Sequence, residues 1–131
     1  MARTQALVHA DPHHGPARAV GAAGLFGIAL VHLLDLPGKL HETPYLGVAY
    51  IGLILASMVV GALLTMRDER RLWLASFGIA AATLAGYAIN RTVGMPGAMD
   101  DIGNWLEPLG LASLFVEGAV VLISALVLAD A

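Results

Sequence analysis

The chain has no cysteine, and that single absence removes a large part of protein chemistry. Disulfides, thiolate metal sites, iron–sulfur clusters and cysteine nucleophiles are all excluded together. Charge is scarce as well: only 13% of the 131 residues are Asp, Glu, Lys or Arg, about half of what a soluble domain carries. The net charge of −3 comes with no long basic run, so nothing points to nucleic acid as a partner. Aromatic residues make up only 6%. Nucleophile elbows, phosphate-binding loops, dinucleotide fingerprints and the His-Glu-x-x-His metal motif are missing too.

What the chain does have is apolar length. Hydrophobic residues reach 58% and are concentrated in four runs. These are Ala19 to Leu36, stopped by Pro37-Gly38; Tyr45 to Met66; Leu72 to about Asn90; and Pro108 to Leu128. About 20 residues of helix cross a hydrocarbon layer ~30 Å thick, and each run is close to that length. A soluble bundle would carry a charged face on every helix, and these runs have none. The expected fold is all-α, an integral membrane bundle of four transmembrane helices. Two units are expected, a polar tail over residues 1–18 and the helical domain over 19–131. The tail's His9, His13 and His14 are better read as solvated than as metal ligands. A cleaved signal peptide is not expected, because the first apolar run starts late and no small-residue cleavage site follows it.

Basic residues set the orientation. Arg3, Arg18, Arg67, Arg70 and Arg71 flank one side, while the other holds only Lys39 and Arg91. The positive-inside rule then puts both termini in the cytoplasm of a multi-pass protein of the cell's inner (plasma) membrane. Tyr45, Trp73 and Trp105 fall at run ends, where aromatic belts sit. The outer side carries Glu42, Asp100, Asp101 and Glu107, and its longest connection runs from Arg91 to Glu107. Connections of that length are often functional.

At 100° per residue, each helix aligns one small and polar stripe. Gly21, Gly24, Ile28, His32 and Asp35 share a face of the first helix. Gly47, Tyr50, Ser57 and Gly61 do so in the second, Ser76, Thr83, Tyr87 and Asn90 in the third, and Gly110, Ser113, Glu117 and Ser124 in the fourth. Small residues on such faces serve helix packing, and Tyr50 and Tyr87 also suit a packed core. Glu117 is different. A carboxylate near mid-membrane costs about 2.5–3.5 kcal/mol on insertion scales, so it needs a proton, a partner or water. Counted from the run ends, Glu117 lies ~12 Å deep and His32 ~6 Å.

The expected pocket is therefore His32, Tyr50, Thr83, Tyr87, Ser113 and Glu117, with His32 and Glu117 facing one interior space. Its outer rim is Asp35, His41, Glu42, Arg91 and Glu107, with Arg91 paired to Glu107 or Asp35 or anchored at lipid phosphates. A metal or haem held by His32 and His41 is a minor alternative, which requires the Pro37-Gly38 turn to fold His41 back over the bundle.

Three stretches carry a resemblance: His32-Leu-Leu-Asp-Leu-Pro with His41-Glu42, Asn90-Arg91-Thr92-Val93-Gly94-Met95-Pro96, and Glu107-Pro108-Leu109-Gly110. They resemble a family of small four-helix membrane proteins of high-GC Gram-positive bacteria, with Met95 where Leu is more usual. The resemblance implies the fold and a bacterial inner membrane, and no activity. The function expected first is non-catalytic, an accessory subunit or a small-ligand module. Its partners would be the lipid bilayer and other membrane helices, in a homo-oligomer or a larger complex. The alternatives are a proton- or cation-coupled transporter using Glu117, and an enzyme on lipids or quinones using His32 and Glu117 as acid and base.

Overall fold

The computed structural model describes residues 14–130 and consists of four long helices with one short 3₁₀ turn. Helix α1 spans Gly15–Glu42, α2 Pro44–Met66, α3 Arg70–Thr92 and α4 Pro108–Ala129, with the turn at Met99–Asp101. His9 and His13 of the tail lie outside the described residues. All four helices are long and apolar enough to cross a membrane, which makes the chain a multi-pass membrane bundle. Leu30, Leu34, Val48, Leu55, Phe115 and Leu122 are among the large apolar side chains that face outward, as lipid-facing residues do.

Proline sets three of the helix starts, at Pro16, Pro44 and Pro108, where its missing N–H would be unpaired in any case. α1 packs most extensively on α2 and also on α4. α3 packs on α4, and α2 and α3 meet more sparsely.

The first helix departs from expectation at both ends. It begins at Gly15 rather than Ala19, and it runs through Pro37-Gly38 to Glu42. Proline inside a helix is tolerated where tertiary contacts hold the turn. Here Gly47 of α2 sits against Leu40 so closely that an added Cβ would lie 2.5 Å from its Cδ2. The Lys39 ammonium reaches Asp101 at 3.1 Å, and the Thr43 hydroxyl donates to Gly97 O at 3.2 Å. Trp73 also departs. It is 1% exposed and sits in the core, with its indole N–H donating to Asp68 at 2.8 Å, rather than in an interfacial belt.

The bundle divides into two halves. One is a dry core of Leu25, Ile28, Leu64, Leu72, Trp73, Ala80, Val120 and Val127. Its end is tied together by Arg18, which donates to Leu64 O at 2.9 Å and Thr65 O at 2.8 Å. His14 joins it through Asp68 at 2.6 Å. The other half is polar and contains the cavity described next.

Candidate functional site

Each of the four stripes turns inward, and none of its members is exposed. In the dry half the stripe residues other than Ile28 are small, so the helices close. Gly24 meets Val120, where an added Cβ would clash. In the other half His32, Asp35, Tyr50, Thr83, Tyr87, Asn90 and Glu117 put larger polar side chains on the stripes, and the helices line a cavity of about 510 Å³. Ligand sites commonly measure about 300–1,000 Å³.

All six residues expected as a pocket line this cavity: His32, Tyr50, Thr83, Tyr87, Ser113 and Glu117. Asp35, Glu42, Arg91 and Glu107 of the expected rim line it too. His41 does not. It is exposed and borders a separate polar recess with Glu42, Thr43, Ala98 and Asp100. Because α1 continues past Pro37, His41 lies nine residues beyond His32, about 14 Å along the axis and on the opposite side of the helix. The turn that a His32–His41 metal or haem site required does not form. Among the described residues, no group of three or more His, Asp or Glu side chains is placed to hold a metal ion.

The same extension moves His32 deeper. It stands ten residues from the end of α1, about 15 Å, while Glu117 stands nine residues into α4, about 14 Å. The two are thus level in residue count, where the shorter helix had put them a turn apart. Glu117 is 0% exposed. The Ser113 hydroxyl donates to its Oε2, and its Oε1 has no hydrogen-bond partner among the described residues. His32 Nδ1 bonds Ile28 O at 2.8 Å. A carbonyl can only accept, so in the neutral ring the proton is on Nδ1 and Nε2 keeps its lone pair. The imidazole meets the Tyr50 ring edge-on at 4.8 Å, and the Tyr50 hydroxyl donates to Asp35 at 3.1 Å.

The 93–107 connection forms the wall at the cavity's far end. Gly94, at φ +83°, stops α3, and its N–H bonds Ile89 O at 2.8 Å. Pro96-Gly97 then turns the chain, with Gly97 at φ +72° and Ala98 N–H bonding Met95 O at 2.9 Å, the pattern of a type II turn. Arg91, 6% exposed, donates to Glu107 at 2.7 Å, approaches Asp101 at 3.3 Å and lies 4.7 Å from the Tyr87 ring centre. Lys39 and Asn90 also donate to Asp101, which makes it the hub that joins the connection to α1 and α3. Burial works against the Asp101 charge. Hydrogen bonds from Asn90 and Lys39, with the Lys39 and Arg91 charges, outweigh it and hold the carboxyl below its ordinary range.

Lys39, Asp101 and Asn104 line the cavity without having been expected there. For Lys39 the one available signal was its position just beyond Pro37-Gly38, a lone cation facing an acidic connection.

Fold and site together define a class, a four-helix membrane bundle closed in one half and hollow and polar in the other. No family model, no curated protein and no solved structure matches the chain.

Proposed function

We propose that this protein is a non-catalytic membrane module that holds a small ligand in its polar cavity, on its own or as an accessory subunit of a larger complex. The observation that carries the reading is Glu117, a fully buried carboxylate with one unpartnered oxygen at a cavity of about 510 Å³. A carboxyl group at that depth is costly unless something completes its hydrogen bonds.

The proposal places the cavity on the outer side of a bacterial inner membrane. Arg18, Arg67, Arg70 and Arg71 stand at the dry end, and the cations of the cavity end, Lys39 and Arg91, are taken up in ion pairs. Membership of the resembled four-helix family is part of the same proposal. The motif residues His32, Asp35, Asn90, Arg91, Glu107 and Gly110 all line the cavity.

Native mass spectrometry of protein extracted in mild detergent tests the reading. The expected result is a small-molecule adduct that Glu117→Gln loses. Protein that carries no small-molecule adduct, whether alone or with a helix partner, overturns it.

Transport coupled to Glu117 is the second reading, supported by the depth of that carboxylate. The dry core below the cavity, with Leu25, Ile28 and Val120 fully buried, favours binding over passage. Proteoliposome flux of protons and cations is expected to equal that of empty vesicles. A flux abolished by Glu117→Gln would establish transport instead.

A further inference from the structure

The cavity wall is unevenly supplied with hydrogen-bonding partners. Its positive groups are already engaged, Arg91 with Glu107 and Asp101, and Lys39 with Asp101. Two of its negative groups, Asp35 and Glu117, are not. Asp35 receives the Tyr50 hydroxyl and Glu117 the Ser113 hydroxyl, and neither carboxylate has a cation within ion-pair distance among the described residues. Buried acceptors are also left over. Among the described residues Glu117 Oε1 and Asn90 Oδ1 have no partner, and the neutral His32 ring adds the acceptor lone pair of Nε2. Against them, among the described residues, stand the donor Arg91 Nε and the Tyr87 hydroxyl, which can act either way and lies beside the Arg91 guanidinium.

A wall with spare acceptors and spare negative charge is complementary to a ligand that brings donors and positive charge. We infer that the cavity binds a protonated organic amine, with its ammonium at the Glu117 carboxylate and its apolar body against Leu53, Ile79, Ala82 and Leu109. This rests on the ligand-binding reading above and adds the ligand's chemistry. An ammonium supplies N–H donors to Glu117 Oε1 and to neighbouring acceptors, and charge-assisted bonds of this kind are the stronger ones. A carboxylate or phosphate ligand would meet Glu117 and Asp35 with no free cation to offset them. A bare metal ion fits less well, because one carboxylate and one imidazole fall short of a full ligand set. The four apolar lining residues give a carbon skeleton somewhere to lie.

Calorimetric titration of the purified protein in nanodiscs tests this with three probes of similar size: benzylamine, benzyl alcohol and benzoate. Protein-free nanodiscs serve as the partitioning blank. Benzylamine is expected to bind saturably, at least tenfold more tightly than the other two. Glu117→Gln is expected to weaken it at least tenfold, and Glu117→Asp to retain part of the affinity. Gel filtration and circular dichroism of both variants report whether the bundle stays intact. If Glu117→Gln does not fold, the preference for amine over alcohol and benzoate in the unaltered protein decides alone. Equal binding of alcohol or benzoate, or amine binding indifferent to a folded Glu117→Gln, overturns the amine assignment and leaves the ligand-binding reading standing. The assignment also falls if all three probes fail while the native adduct is present. Failure of the probes together with absence of any adduct overturns both.

Discussion

At the scale of single residues, the cavity is a place where stability is given up. Glu117 keeps a buried oxygen unpaired, and an unsatisfied polar group of this kind costs about 1–3 kcal/mol. Replacing it by a similarly shaped apolar side chain removes that cost. Glu117→Met is therefore expected to stabilise the ligand-free bundle by about 1–2 kcal/mol, read as a raised thermal midpoint in nanodiscs, while abolishing the adduct. Arg91 is the opposite case. It is almost fully buried and supports two carboxylates and an aromatic ring. Arg91→Met strands Glu107 and takes from Asp101 one of its three partners, and a loss of about 2 kcal/mol is expected in the same assay. Arg91→Lys should recover only part of it, since an ammonium does not reproduce the planar fork that reaches both partners.

At the scale of elements, the contrast between the two halves comes from what each stripe holds. Gly24 of α1 lies against Val120 of α4 with no room for a Cβ. Gly24→Ala is expected to destabilise by about 1–3 kcal/mol through overpacking. Adding Val120→Ala should restore most of the loss, and equilibrium unfolding of the single and double variants checks this. The stripes themselves were legible in the sequence, because helical periodicity depends only on residue order. The inward placement of His32, Tyr50, Thr83, Tyr87, Ser113 and Glu117 follows from that periodicity. The length of α1 was not legible. Pro37-Gly38 reads locally as a stop, while the contact with nearby Gly47 and those with Asp101 and Gly97, distant in sequence, hold the extended end of the helix. The error in length carried through to the depth of His32 and to the place given to His41. Trp73 failed for a related reason. Its position at a run end resembles a belt residue, while its partner Asp68 and its place beside Gly21 are properties of the assembled fold.

At the scale of the whole molecule, each end is fastened by a carboxylate outside the spanning helices. Asp68 fastens the dry end. Burial would raise its pKa, but hydrogen bonds from Trp73 and His14, with the His14 and Arg18 charges, hold it below the usual range. Asp101 does the same at the cavity end. A depressed folded-state pKa adds stability that is present above the unfolded value, about 4, and lost as pH falls through the lower folded value. Both fastenings are thus intact at neutral pH and loosen below about pH 4. Hydrogen exchange across residues 93–107 is expected to accelerate there. Asp101→Asn should show that faster exchange already at pH 7, with α4 unchanged. The length of α1 has a further consequence. Its 28 residues extend about 42 Å, well beyond a ~30 Å hydrocarbon layer, and the 93–107 connection is anchored to its last turns. A thinner bilayer makes a long helix lean further to keep its apolar stretch covered. Leaning α1 would shift the anchored connection that walls one end of the cavity, so the lipid chain length of the host membrane becomes a control on the cavity's shape.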